Sequence, residues 1–148
     1  MFNPSRDQVR QFFCDTYRKW RDGAVLSGAE IPAADIIALH PEYHGLLADP
    51  EALGKEWTPE QGTTNPFLHL SLHLAVAEQL SIDQPRGIRA AYDGLRRRFD
   101  DEHEALHRLL ECLGEAVWKA QRNGGVMDAE GYLESIRRSS PGTGKTVL

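Results

Sequence analysis

Apolar residues recur at spacings of three and four along most of the chain, the period of a helix buried on one side. Val9, Phe12, Phe13, Tyr17 and Trp20 define the first such stripe. Ser5 is a good N-cap for it, Asp7 suits its first turn, and Gly23 to Gly28 is its end. A second helix is expected from Pro32 or Asp35 to Leu39, stopped by His40-Pro41, because a residue before proline is pushed out of the α region. Pro41 suits the first position of a new helix and Glu42 is favourable beside it, so a short helix is predicted over Glu42 to Ala48. Asp49 to Thr64, with two prolines and two glycines, reads as loop.

Asn65-Pro66 is a helix start, and the helix runs to about Leu80. Its apolar residues point nearly all round, the mark of a central, buried helix. Asp83, with Pro85 near the first turn, opens a helix to about Phe99; Asp100 and Asp101 open a long one that stops near Asn123-Gly124-Gly125. Asp128 caps a last helix through about Arg138. No stretch alternates with period two, so strands are not expected. The pattern predicts an all-α fold: a compact bundle of about five to seven helices, one domain over residues 1–138, with a disordered, flexible tail over 139–148. Gly142 to Thr146, Gly-Thr-Gly-Lys-Thr, imitates the end of a phosphate-binding loop. It lacks the glycine the motif needs at Ser139 and the helix that aims backbone amides, and we read it as a decoy.

Composition changes this picture little. The chain has 148 residues, 41% hydrophobic and 26% charged, which suits one ordinary globular domain. A net charge of −5 argues against nucleic-acid binding, and Arg96-Arg97-Arg98 is followed at once by acidic residues. No apolar stretch reaches the length of a membrane span, and the N-terminus lacks a signal-peptide pattern. Cys14 and Cys112 stand in no motif and read as free thiols of a reducing compartment, so the cytoplasm is expected. Trp20, Trp57 and Trp118 are expected to be packing anchors. The aromatic face of the first helix is a candidate surface for a homodimer.

Histidine carries the candidate chemistry. All six histidines fall in His-x-x-x-His pairs: His40/His44, His69/His73 and His103/His107. Random placement would give about 0.2 such pairs. On a helix, residues four apart share a face, so two imidazoles there converge on one ion. His69 and His73 sit on the all-apolar helix, where an unpaired polar ring is costly. His103 and His107 border the apolar face of the long helix, in line with Asp100 and Glu111, which makes this row the most ligand-like feature of the sequence. Pro41 splits His40 from His44; the two meet only if His40 caps the turn that carries His44. Tyr43 adds a phenol as ligand or hydrogen-bond donor.

Two readings stand. In the first, His40, His44, His69, His73, His103, His107 and Glu111 hold a transition metal. Imidazole and carboxylate donors favour zinc, iron, manganese or nickel, and an open position would permit hydrolysis or oxygen chemistry. In the second, the protein is a non-enzymatic interaction or regulatory module, and the histidines form a buried polar network with Glu78, Asp100, Glu111 and Glu115. No serine or cysteine nucleophile motif accompanies either, and no reaction follows from the sequence.

The stretches HPEYH (His40 to His44), NPFLHLSLH and EQLSIDQPRGI (within Asn65 to Ile88), the His103/His107 helix and ECLGEAVWKAQR (Glu111 to Arg122) resemble a small bacterial family known only as a domain of unknown function. The resemblance covers about Asp7 to Ile136. It implies that the histidines, Glu78, Glu111 and Glu115 are the positions to test, and it implies no activity.

Overall fold

The N-terminal helix shows how far local chemistry dictates this structure. In the computed structural model, which describes residues 5–57 and 65–141, α1 spans Arg6–Asp22. The Ser5 hydroxyl accepts from the Gln8 amide while the Gln8 side chain accepts from the Ser5 amide, a reciprocal capping box. Gly23, at φ +72°, ends the helix: its amide reaches the Trp20 carbonyl and the Ala24 amide reaches Lys19.

Six further α-helices follow: α2 (Glu30–Ala38), α3 (His44–Leu47), α4 (Pro66–Ile82), α5 (Ile88–Arg98), α6 (Glu102–Arg122) and α7 (Ala129–Arg138). Single 3-10 turns cover Pro41–Tyr43 and Pro50–Gly54. No strand occurs among the described residues, so the fold is all-α as the pattern predicts. The Asn65 carboxamide caps α4, and the Asp101 and Asp128 carboxylates cap α6 and α7, each by accepting a first-turn amide.

Several boundaries differ from expectation. Helix α2 starts before Pro32, because Glu30 is held by the Lys19 ammonium at 2.7 Å and by the Ser27 amide at 3.1 Å. The helix predicted over Glu42 to Ala48 divides into the Pro41–Tyr43 turn and α3. Part of the expected loop after Asp49 is the Pro50–Gly54 turn, capped by the Asp49 carboxylate. Helix α5 starts later than Asp83, whose carboxylate reaches forward to the amides of Gly87 and Arg89. Ser139, where the tail is expected to begin, is buried; its hydroxyl donates to the Ser135 carbonyl. The Gly142 to Thr146 decoy lies outside the described residues.

The chain divides into two compact units, Met1–Leu74 and Ala75–Leu148, with α4 contributing to both. The first has a core of Phe13, Tyr17, Ala33, Ile36, Ile37, Leu47, Ala52, Phe67 and Leu70. Val9 and Phe12 pack against it, so most of the aromatic face of α1 is spent internally. Arg10, 2% exposed, crosses this core. Its Nη1 donates to the carbonyls of Leu53 (3.0 Å) and Lys55 (2.8 Å), and its guanidinium lies over the rings of Trp57 and Phe67. One buried cation thereby ties α1 to the segment after Pro50.

In the second unit α5, α6 and α7 pack on one another. Ile88 and Leu95, Leu109 and Leu110, and Tyr132 and Ile136 are its most deeply buried large side chains. The Tyr132 hydroxyl donates to the Gln79 carboxamide at 2.7 Å, and Arg98 closes the end of α7 by donating to the carbonyls of Ile136 and Ser139. Trp57 is a packing anchor as expected. Trp118 is not: it is 55% exposed, with Arg122 over its ring.

Two stability predictions follow from this geometry. Gly23→Ala meets nothing within 4 Å, so its cost is purely conformational; chemical denaturation should show a loss of about 1 kcal/mol for the left-handed backbone. Arg10→Met keeps the aliphatic contacts but strands part-buried carbonyls, and should lose about 1–3 kcal/mol in the same measurement. A neutral outcome for Arg10→Met would mean that the guanidinium does not hold the 50–55 segment.

Candidate metal centre

The site begins where α2 ends. Pro41 cannot continue the helix, and the chain leaves the α region at His40, φ −124° and ψ 63°. The last carbonyls of a helix lack intrahelical partners. The Ile36 carbonyl, which lacks the i+4 amide and takes only the Leu39 amide at 3.1 Å, also receives the His40 ring: Nδ1 lies 2.8 Å from the Ile36 oxygen. A carbonyl only accepts, so Nδ1 bears the proton and, in the neutral ring, Nε2 presents a lone pair. Nε2 is buried and has no hydrogen-bond partner among the described residues. Orientation of one ring nitrogen by a backbone carbonyl, with the other left to face inward, is the usual arrangement of a metal-ligating histidine.

His69 and His73 meet it from α4. Their i, i+4 spacing puts both rings on one face, with centroids 4.8 Å apart. The His40 ring lies 5.1 Å from that of His69 and 4.7 Å from that of His73, edge to face in both cases. All three side chains are buried, at 3%, 4% and 5% exposure. One ring nitrogen from each lies within 4.8 Å of the other two. Tetrahedral zinc with imidazole donors needs nitrogens about 3.3 Å apart, so side-chain rotation with little backbone movement would close the set on an ion.

Tyr43 forms one wall. Its ring stacks on His40 with planes 6° apart and meets His69 edge-on at 6.1 Å. Burial, and to a lesser degree Glu42, push the phenol above its ordinary pKa. With no cation beside it the phenol therefore stays protonated at neutral pH and offers a hydrogen-bond donor.

The other predicted residues are described by the elements that carry them. His44 is not brought to His40: its Nε2 lies 2.8 Å from the Ile37 carbonyl, and its ring packs against Tyr17 and Trp20. His103 and His107 stand together on α6 in the second unit, ring centroids 4.2 Å apart, His103 exposed and His107 half-buried. Glu111, one turn on, is half-buried with Arg108 at 3.8 Å. Asp100 precedes the helix and is exposed, so the expected four-member row on one helix loses its first member. Glu78 is also exposed, and Glu115 pairs with Lys119 at the surface. The polar-network reading thus loses three of its four carboxylates to solvent. The Ile36 carbonyl escaped sequence reasoning, although the four-residue step back from His40 is the spacing at which a C-terminal ring reaches a last-turn helix carbonyl; this one also accepts the Leu39 amide at 3.1 Å.

Neither the curated proteins nor the solved structures contain a match to this chain. A family model described as "Domain of unknown function (DUF1841)" matches residues 5–138, nearly the whole chain. The protein therefore belongs to the DUF1841 family, a domain of unknown function, in keeping with the expected resemblance to such a family.

Proposed function

We propose that this protein binds a transition metal, with His40, His69 and His73 as donors. The observation that carries the reading is the buried convergence of three imidazoles, one of them held by a backbone carbonyl with its second nitrogen unsatisfied. A donor set of neutral nitrogens suits zinc, iron, manganese or nickel. Three protein donors leave a coordination position for water or a further residue. With water there, the bound metal would supply a hydroxide nucleophile or a site for oxygen chemistry. His103, His107 and Glu111 are the sequence's candidates for the further donor, and they are tested as such. Two free cysteines and an acidic surface suit the cytoplasm, where we place the protein.

The edge-to-face ring packing supports a second reading, in which the imidazoles and Tyr43 form a polar-aromatic core without an ion. Metal analysis separates the two. Tag-free protein prepared without chelator should carry about one equivalent of metal, and metal added to the stripped protein at 100-fold above its Kd should stabilise it by about 2.7 kcal/mol. His40→Ala, His69→Ala and His73→Ala should each abolish that stabilisation. His44→Ala should leave stoichiometry intact, since its ring is bonded elsewhere. His103→Ala, His107→Ala and Glu111→Ala decide the further donor: weakened binding in one of them assigns it, and unchanged binding in all three leaves the position to water. Less than about 0.2 equivalents of metal together with no stabilisation would establish the ion-free core instead.

A further inference from the structure

A cavity in the first unit is built from other residues and other chemistry than the histidine cluster. It has a volume of about 330 Å³ and lies between α1 and the segment from Leu47 to Leu53. That is the lower end of the range for small-molecule sites. Leu47, Pro50 and Leu53 supply an apolar wall, and α1 presents Cys14, Arg18 and Arg21 from the facing side. None of the six histidines lines it.

The two arginines are the unexplained part. Arg18 makes an exposed pair with Asp15 at 3.1 Å, and Arg21 lies 3.6 Å from Asp22 with its guanidinium over the Tyr17 ring. Exposed pairs of this kind contribute little to stability. Each occupies a single nitrogen, while a guanidinium offers five donors in a fork that matches a carboxylate. Asp49, the one acidic residue of the lining, is engaged at the Glu51 amide. The Cys14 thiol is no competitor as a reactive group. Burial, and then Asp15, raise its pKa, so it stays protonated. We infer that this cavity binds a small amphiphilic carboxylate, its carboxylate held by Arg18 and Arg21 and its hydrocarbon tail against Leu47, Pro50 and Leu53.

Cys14 makes the site measurable. It is half-buried on the cavity wall, whereas Cys112, the other cysteine, is buried in the second unit. Slow alkylation of Cys14 by excess iodoacetamide at mildly alkaline pH, where a small fraction of the thiol ionises despite its raised pKa, followed by mass spectrometry of the full chain in chelator, reads occupancy independently of any metal at the histidines. Saturating hexanoate should slow it by about fivefold or more. Hexylamine, with the same tail and opposite charge, and inorganic phosphate, an anion without a tail, should not. Arg18→Ala with Arg21→Ala should abolish protection while circular dichroism shows the fold retained, since both side chains are more than half exposed. Absence of hexanoate protection would overturn the inference. So would equal protection by hexylamine or phosphate, or protection that survives the double substitution.

Discussion

The cost of leaving a polar group in an apolar interior without a partner governs the first unit. Arg10 is the largest case. A cation taken out of water is tolerated here because backbone carbonyls accept its protons and aromatic faces cover its plane. The same constraint orders smaller groups: the Thr16 hydroxyl returns to the Phe12 carbonyl and the Ser71 hydroxyl to the Phe67 carbonyl. His40 obeys it with one nitrogen only. The second nitrogen, buried and facing two further imidazoles, leaves the rule unmet among the described residues, as does Arg10 Nε; only the histidine atom has a lone pair to offer an ion.

Most helices were legible because their ends are written in side chains. Ser5, Asn65, Asp101 and Asp128 each accept a first-turn amide, and each marked its boundary from the sequence. Where the deciding partner is distant in the chain, the reading missed. Helix α2 has no side-chain cap, and its start depends on Lys19, eleven residues away. Asp83 has the composition of a cap but spans a longer turn, which moved the start of α5.

The histidines divide in the same way. Their spacing was visible, and so was the shared face of His69 and His73. Which third ring joins them was not, because His40 and His44 are steered by neighbouring carbonyls of one helix, Ile36 and Ile37, that lie about 100° apart around its axis. Sequence reasoning ranked the α6 pair first on the strength of its flanking carboxylates. Asp100 turned out to lie outside the helix, a one-residue question of where Asp101 places the cap. His103, His107 and Glu111 do lie on α6 at four-residue steps, so three of the row's four members keep the face that the spacing gave them.

The His40 ring belongs to two structures at once. One edge finishes a helix and the other faces the imidazole cluster, so a substitution there is felt both as a frayed helix end and as an altered site. Selection on folding and selection on binding would therefore act on a single side chain. Position 40 has less freedom to drift than His69 or His73, whose helix would persist without their rings.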